Sequence, residues 1–246
     1  MTVVAVIPAH NEERTISGVV HAVKPHVDEV IVIDDGSTDS TFDQACQAGA
    51  AVWCQENAGP GSATRVGIKR ALERYKADVV VCLDGDGQHD PDLVPDFLEA
   101  LHHIEHDPQV NQHVGLLVVG QRELRLGRVP FLRWLGNRIF HFLRNFLSTY
   151  PVNDGQCGYR AFTSYTARCV EIETDGFGFA EEVIIKARSI GTVAEIEIPT
   201  RYGEEVHKYS FLPAMRRGLE IPWTILKWRW AIEWKPVLRR LVWERR

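Results

Sequence analysis

Short apolar runs and helix-like stretches alternate along the first 120 residues. Five runs are rich in β-branched residues and short enough to be buried strands: VVAVIPA, EVIVIDD, AAVWCQ, DVVVCLD and VGLLVVG. Between them lie stretches of about 10 to 17 residues with helical patterning, such as TFDQACQAGA, SATRVGIKRALERY and PDLVPDFLEALHHIEH. This alternation predicts an α/β fold with a mainly parallel sheet flanked by helices.

Three of the predicted strands end in polar clusters. PAHNEE follows the first strand, DDGSTD the second and DGDGQH the fourth. In open α/β sheets, ligands bind in the crevice outside the carboxyl ends of the strands. We therefore expect these three clusters to converge on one cleft.

The sharpest chemical signal is the pair Asp84 and Asp86, separated by one glycine after a buried run. These carboxylates suit Mg²⁺ or Mn²⁺, because such ions take hard oxygen ligands, usually one or two carboxylates plus substrate phosphate oxygens. A solvated Asp-Gly turn is the simpler interpretation of the same residues. The adjacent Asp34 and Asp35 add to the signal, since a helix cap explains only the residues after them. We expect one of these two aspartates to face the cleft and bind a base or ribose.

The chain changes character beyond residue 130. Residues 131–147, FLRWLGNRIFHFLRNFL, predict an amphipathic helix whose wide apolar face either docks on the body or enters a membrane surface. Residues 152–162 then predict a loop entering a strand, followed by a helix around residues 181–190 and the strand TVAEIEIPTRY.

Charge and tryptophan are distributed unevenly. The net charge is −5, yet residues 207–246 carry ten Lys and Arg against three Glu, a net of +7 that leaves −12 for the rest. The same region holds five of the seven tryptophans. Tryptophan together with basic residues is typical of an anionic membrane interface. A pI of about 6.1 and the lack of an aromatic-glycine module argue against a nucleic-acid partner.

The remaining features predict a cytoplasmic, peripheral protein at the cytoplasmic face of a membrane. No run reaches the roughly 18 to 20 uninterrupted apolar residues of a membrane span. The start, MTVVAVIPAHNEE, lacks the charged segment and long apolar core of a signal peptide. Five scattered cysteines without a C-x-x-C pair predict reduced thiols.

Nine segments, in order, resemble the family 2 glycosyltransferases, and most closely the polyprenyl-phosphate sugar synthases of the dolichol-phosphate mannose synthase type. These segments are IPAHNEE, VIDDGSTD, NAGPGSATRVG, DGDGQH, VGQR, RWLGN, NDGQCGYRAF, the FGFAEE segment and RYGEEVHK. The resemblance implies a GT-A-type nucleotide-sugar-binding domain over residues 1–210, with residues 211–246 as a helical tail. It implies metal-dependent, inverting transfer of a sugar from a GDP- or UDP-sugar to a polyprenyl phosphate, dolichyl or undecaprenyl.

The resemblance also implies roles for individual residues. The implied metal ligands are Asp84, Asp86 and Gln88. Donor contacts are implied for Pro8, Asn11, Glu12, Asp35, Gly61, Asp84, Gly85, Asp86, Arg122, Arg201 and Lys208. Arg133 and Asn137, one helical turn apart, are assigned to the acceptor phosphate. The residues assigned to catalysis are Asp86, Arg133, Asp154 and Glu182.

The sequence departs from the family pattern in three places. Gly59-Pro60-Gly61 stands where many relatives have a lysine, and His207-Lys208 stands where a Ser-Lys pair is often found. The C-terminal membrane spans of some relatives are missing from this sequence. Because the lysine is replaced at Gly59-Pro60-Gly61, a phosphate contact at this glycine turn is not expected from the family pattern.

Two alternatives stay open at this point. Transfer to a hydroxyl of a glycan would need a carboxylate base, which Asp154 or Glu182 can supply unless each instead orients a neighbouring loop. A non-catalytic nucleotide-sugar-binding protein is the second alternative. The intact pair Asp84 and Asp86 argues against it, because a retired metal site has no physical need for both carboxylates.

Overall fold

Seven strands form one sheet in the computed structural model, which describes residues 1–107, 115–122, 152–199 and 211–234. The order across the sheet is β3-β2-β1-β4-β6-β5-β7. The strands are β1 (Val3–Ala9), β2 (Glu29–Asp34), β3 (Ala51–Cys54), β4 (Val79–Cys82), β5 (Gly115–Arg122), β6 (Arg160–Thr163) and β7 (Gly191–Ile198). The five apolar runs of the first 120 residues correspond to β1–β5, as predicted.

Helices connect the strands and cover both faces of the sheet. They are α1 (Ile16–Val23), α2 (Thr41–Gln47), α3 (Pro60–Arg74), α4 (Val94–Glu105), α5 (Ser164–Cys169), α6 (Phe179–Ile190) and α7 (Phe211–Arg229). Short 3₁₀ turns span Lys24–His26 and Pro91–Leu93, and a π-helical segment, Trp230–Trp234, extends α7. The helices predicted from TFDQACQAGA, SATRVGIKRALERY and PDLVPDFLEALHHIEH are α2, α3 and α4.

The sheet is mainly parallel, which confirms the predicted α/β class. Strands β1–β4 run parallel to one another, and β5 pairs parallel with β7. The exception is β6, which lies antiparallel between β4 and β5. Because Arg160, the first residue of β6, pairs with Cys82 at the end of β4, the loop before β6 lies at the carboxyl edge of the parallel strands.

The core lies on both faces of β1, β2 and β4. Residues 3–7 of β1 and 79–82 of β4 are buried without alternation, as expected for parallel strands covered by helices on both sides. Helix α3 approaches β1 closely at Gly67, where an added Cβ atom would lie 2.2 Å from Val6 Cγ1. Glycine at this position therefore lets the middle of α3 pack directly on β1.

A smaller apolar cluster attaches the tail helix to the body. Ile185 of α6 packs with Ile225 and Trp228 of α7, and Ile221 and Ile232 lie against them. The Nζ atom of Lys186 lies 3.7 Å from the centroid of the Trp228 ring, within the range of a cation–π contact. Helix α7 is therefore docked on α6 along one of its faces.

Candidate active site

The three polar clusters that follow β1, β2 and β4 are joined by hydrogen bonds. The Asn11 backbone N–H donates to Ser37 Oγ at 2.9 Å, and Thr38 N–H donates to Asn11 Oδ1 at 2.8 Å. Thr15 Oγ1 donates to the Gly85 carbonyl at 2.8 Å. Asn11 has φ +57, a left-handed conformation that asparagine tolerates better than most residues. The expected convergence of the strand ends is therefore present.

Asp34 and Asp35 are both buried and both engaged by backbone groups. Asp34 Oδ1 accepts from Ser37 N–H at 2.9 Å. Asp35 accepts from the Gln55 side chain at 2.7 Å, and also from Ala58 N–H at 2.9 Å and Gly59 N–H at 2.8 Å. The Asp35 carboxylate therefore shapes the turn that leads into α3, and its contact with a base or ribose stays a prediction.

Pro8 and Glu12 lie at the same edge. Pro8 is partly exposed at the end of β1, and its carbonyl lies 3.4 Å from the position of a Cβ atom added to Gly85. Glu12 donates its backbone N–H to Thr41 Oγ1 at 2.7 Å, while its carboxylate accepts from Thr15 Oγ1 at 3.3 Å. Pro8 therefore lies next to Gly85 of the DGDGQH segment, and Glu12, which follows β1, is connected to the same segment through Thr15.

Asp84 and Asp86 stand at the tip of β4 with their carboxylates partly exposed. The Asp84 side chain is 46% exposed, and Asp86 Oδ1 accepts from Gln88 N–H at 2.9 Å. The pKa of Asp84 lies above its usual range because surrounding protein displaces water, and the pKa of Asp86 is raised by the same burial and by the Asp84 charge. A Cβ atom on Gly158 would lie 2.3 Å from Asp84 Oδ1, so a glycine is needed beside this carboxylate.

His89 lies beneath the two aspartates and was not identified from the sequence. It is 4% exposed, and its Nδ1 atom accepts from Asp84 N–H at 3.3 Å. Its ring packs 5.3 Å from the Tyr159 ring, which stacks on Phe97 at 4.1 Å. Burial lowers the pKa of His89 to about 4, so it supports the Asp84 backbone as a neutral imidazole.

Arg122 and Asp154 form a two-pronged ion pair at the end of β5. Arg122 Nε lies 2.6 Å from Asp154 Oδ2, and Nη2 lies 3.0 Å from Oδ1. Burial opposes ionisation of Asp154, but the Arg122 hydrogen bonds outweigh it and lower the pKa of the carboxyl group. Asp154 Oδ1 also accepts from Gln156 N–H at 3.2 Å. The pair orients the loop that enters β6.

Arg160, the first residue of β6, binds the same loop, and its role was not predicted from the sequence. Only 1% of it is exposed, and its guanidinium donates to the carbonyls of Cys157 at 2.8 Å, Gly155 at 2.9 Å and Ala180 at 2.8 Å. It therefore ties the loop before β6 to the start of α6. The sequence offered one indication of this role, an arginine at the start of a short apolar strand. Arginine is seldom fully buried without partners.

The two carboxylates of the FGFAEE segment have different neighbours. Glu182 is fully buried and accepts from Glu173 N–H and Thr174 N–H, each at 2.8 Å, while Lys186 Nζ lies 2.7 Å away. Burial opposes its charge, but these hydrogen bonds lower its pKa. Its contacts are those of a residue that orients a loop. Glu181 was not singled out from the sequence; its Oε1 atom accepts from Gln156 Nε2 at 3.1 Å, so it faces the loop before β6.

Gly61 is placed against protein backbone. Its N–H donates to the Asp175 carbonyl at 2.7 Å, and a Cβ atom there would lie 2.1 Å from the Thr174 carbonyl oxygen. The glycine is required by this close approach, and its predicted donor contact stays a prediction.

Four other predicted site residues lie outside the described residues: Arg133, Asn137, Arg201 and Lys208. The predicted helix 131–147 lies outside them as well.

The sheet order and the polar strand ends define an α/β glycosyltransferase of the GT-A type. The family model described as Glycosyl transferase family 2 matches residues 4–168, and the chain belongs to that family. The fold and the enzyme class inferred from the motifs are confirmed by this match. In the part of the chain that the structure describes, no helix has the length and apolar character needed to cross a membrane.

Relatives support the resemblance to polyprenyl-phosphate enzymes. The chain is 30% identical to the UDP-N-acetylglucosamine–dolichyl-phosphate N-acetylglucosaminyltransferase of Methanococcus voltae, over 81% of this chain and 85% of that one. It is 27% identical to the undecaprenyl-phosphate mannosyltransferase of Micrococcus luteus, over 98% and 99%. A solved structure of Mycobacterium tuberculosis glucosyl-3-phosphoglycerate synthase with Mn²⁺, uridine-diphosphate-glucose and phosphoglyceric acid matches with a TM-score of 0.69, 25% identity and coverage of 92% and 79%.

Proposed function

We propose that this protein transfers a sugar from a nucleoside-diphosphate sugar to a polyprenyl phosphate at a membrane surface, with a divalent metal and with inversion at the anomeric carbon. The observation that carries the proposal is the pair Asp84 and Asp86, two partly exposed carboxylates at the tip of β4. They lie at the edge where the polar ends of β1 and β2 also converge.

The residues at this tip fit Mg²⁺ or Mn²⁺. Among the described residues, no group of three or more His, Cys, Asp or Glu is arranged to enclose a metal. The proposed site instead has two carboxylates, Asp84 and Asp86, with Gln88 beside them, and would take its other ligands from substrate phosphate oxygens and water. Burial and the neighbouring Asp84 charge raise the pKa of Asp86, and a bound cation would offset both by stabilising the charged carboxylate. When bound, the metal neutralises charge on the leaving diphosphate.

The acceptor is proposed to be a phosphate rather than a hydroxyl group. A phosphate monoester has its second pKa near 6 and is largely ionised at neutral pH, so it requires orientation more than a general base. Asp154 is paired with Arg122, and Glu182 accepts two backbone N–H groups, so both carboxylates have contacts that suit positioning. Arg133 and Asn137 are the residues proposed to aim the acceptor phosphate.

Helix α7 is proposed to place the enzyme on the membrane. Its inner face is docked on α6, while Trp223, Leu226 and Trp230 are 69%, 37% and 52% exposed. Trp223 and Leu226 lie at i and i+3 on one side of α7, and Trp230 is the first residue of the π-helical segment that extends it. Tryptophan at a helix surface next to basic residues favours an anionic lipid interface. The proposed membrane surface is the cytoplasmic leaflet.

A second candidate is transfer to a soluble phosphorylated acid. It is favoured by the match to glucosyl-3-phosphoglycerate synthase, whose structure contains phosphoglyceric acid. Transfer to a soluble acceptor would give the exposed tryptophans of α7 and its π-helical extension no role.

One assay separates the two. Purified protein is incubated with Mn²⁺ and GDP-mannose, UDP-glucose or UDP-N-acetylglucosamine, and with undecaprenyl phosphate, undecaprenol or 3-phosphoglycerate as acceptor. We expect transfer to the lipid phosphate alone, abolished by EDTA. Transfer to 3-phosphoglycerate alone would establish the second candidate, and transfer to undecaprenol would overturn the phosphate assignment.

A further inference from the structure

The tail helix α7 contacts the loop that precedes α6. Glu220 Oε1 accepts from Gly178 N–H at 3.1 Å. A Cβ atom added to Gly176 would lie 2.3 Å from Glu220 Oε1 and 2.7 Å from Oε2, so the carboxylate occupies the space above that glycine. One turn further along, Thr224 Oγ1 would lie 2.4 Å from a Cβ atom on Gly178. Helix α7 therefore holds this loop through the Glu220 carboxylate, while the Thr224 hydroxyl group, which donates to the Glu220 carbonyl, packs closely against Gly178.

The same loop holds the start of α3. The carbonyl of Asp175 accepts from Gly61 N–H at 2.7 Å and from Ser62 N–H at 3.3 Å. Arg65, one turn into α3, donates from Nη2 to the Asp175 carboxylate at 2.7 Å. The first N–H groups of a helix have no partner within the helix, and here the Asp175 carbonyl of the loop accepts from two of them. A shift of the loop would therefore move or unpair the start of α3.

The start of α3 is held on its other side by Asp35. The Asp35 carboxylate accepts from the N–H groups of Ala58 and Gly59. Gly59 has φ +106, and a Cβ atom there would lie 2.6 Å from the Asp175 carbonyl oxygen. The loop, the glycine turn and the aspartate are thus in direct contact. Asp35 is the residue that the proposed function assigns to the donor nucleotide.

We propose that Glu220 is a positioning residue for the donor site, through which docking of the tail helix sets the affinity for the nucleoside diphosphate. Three contacts connect the tail helix to the donor site. Glu220 holds Gly178 in the loop before α6, Asp175 of that loop holds Gly61 at the start of α3, and Gly59 just before α3 donates to Asp35. This inference rests on the proposed function, because it concerns the same donor site.

The effect of Glu220 can be separated from docking of the helix itself. The apolar cluster of Ile185, Ile225 and Trp228 attaches α7 to α6 independently of the carboxylate, so a small side chain at position 220 should leave the helix in place. A glutamine can still accept the Gly178 N–H through its side-chain carbonyl. Glu220→Ala therefore removes the contact, and Glu220→Gln keeps it.

The test combines nucleotide affinity with hydrogen exchange. Binding of GDP and UDP with Mn²⁺ is measured by calorimetry, and exchange of residues 58–62 and 174–178 is followed by mass spectrometry in the absence of nucleotide. Glu220→Ala should weaken the preferred nucleotide by about fivefold to tenfold and speed exchange in both segments. Glu220→Gln should resemble the wild type. Glu73→Ala, an exposed glutamate near the far end of α3, is the matched control and should change neither quantity.

A reciprocal pair of variants strengthens the design. Gly176→Ala inserts a methyl group against the Glu220 carboxylate and should weaken nucleotide binding on its own. In the double variant with Glu220→Ala, the methyl group no longer meets a carboxylate. The losses of nucleotide affinity caused by the two single substitutions should therefore not add.

The outcomes are distinct. Normal affinity and normal exchange in Glu220→Ala would overturn the inference while leaving the proposed function intact. Faster exchange confined to residues 174–178, without a change at residues 58–62, would also overturn it. A wild-type protein that binds neither nucleotide would overturn the proposed function, and with it the assignment of Glu220 to a donor site.

Discussion

Arg122 and Asp154 meet as a fork, with Nε–Oδ2 and Nη2–Oδ1 distances of 2.6 and 3.0 Å. The pair joins the end of β5 to the loop before β6, which contains the glycine that abuts Asp84. Its carboxylate is 5% exposed and its guanidinium 28% exposed. These contacts suit orientation of the loop, and a role of Asp154 as general base stays a prediction with different consequences.

Asp154→Asn should separate these two roles. An amide keeps the shape but lacks the charge that pairs with Arg122. We expect stability to fall by about 3 kcal/mol, the low end for a buried pair, because the Arg122 side chain is partly exposed. Turnover should fall with it, while the pH dependence of kcat/KM between pH 5 and 8 keeps its form, because no proton acceptor has been lost. Denaturant unfolding and a pH–rate profile measure the two effects. Loss of the acidic limb of that profile would identify Asp154 as the base and favour a hydroxyl acceptor.

Asp86→Ala tests the metal site. Asp86 is proposed to supply one of two carboxylates to Mg²⁺ or Mn²⁺, and its loss halves both the carboxylate ligands and the negative charge that the protein offers the metal. We expect metal-dependent binding of the nucleoside-diphosphate sugar to be lost in calorimetry, with an unchanged circular dichroism spectrum. Asp92→Ala, whose carboxylate is 79% exposed and faces His26, is the control. Unchanged affinity in the Asp86 variant would remove the metal assignment.

Glu182→Gln should reveal a pH-dependent contribution to stability. The folded-state pKa of Glu182 lies below its usual 4.5, because the charged form is stabilised by two N–H groups and Lys186. The contribution is therefore fully present above about pH 4.5 and is lost as the pH falls through the folded-state pKa. At pH 7 we expect the variant to be less stable by about 2 to 4 kcal/mol. Urea unfolding at pH 7 and pH 3.5 checks the sign; a difference that grows on acidification would contradict it.

Much of the sheet could be predicted from local sequence. β1, β2 and β4 are buried on both faces, so each is a continuous apolar run, and the polar residues at their ends were visible as clusters. The direction of β6 was not predictable in this way. Only four residues long, Arg160–Thr163 is antiparallel because of its pairing with β4 and β5, and no local periodicity encodes that pairing.

The candidate site shows the same division. Asp84 and Asp86 were identified because their carboxylates follow a strand directly. His89 and Arg160 were missed, because their partners are a backbone N–H and three backbone carbonyls, which any sequence can supply. The role of Gly61 was assigned from the resemblance, whereas the structure brings its N–H to the Asp175 carbonyl, a contact between residues far apart in the chain.

Trp223 and Trp230 should control attachment to lipid. Trp223 on α7 and Trp230 at the start of the π-helical segment are 69% and 52% exposed. Loss of an indole from a lipid interface removes apolar contact area. We expect Trp223→Ala with Trp230→Ala to weaken binding to vesicles of anionic phospholipid by about tenfold or more. Binding of the wild type should also weaken as salt rises, because the basic residues of the tail are screened.

Tyr165→Ala is the matched control for this experiment. Tyr165 is 51% exposed on α5, an aromatic residue outside α7, so its loss should leave vesicle binding unchanged. Sedimentation with vesicles at low and high salt measures all three proteins. The circular dichroism spectrum should stay constant, since the docked side of α7, with Ile225 and Trp228, is untouched. Equal binding by the wild type and the double variant would show that α7 does not carry the attachment, and a wild type that stays in the supernatant at low salt would exclude the membrane surface altogether.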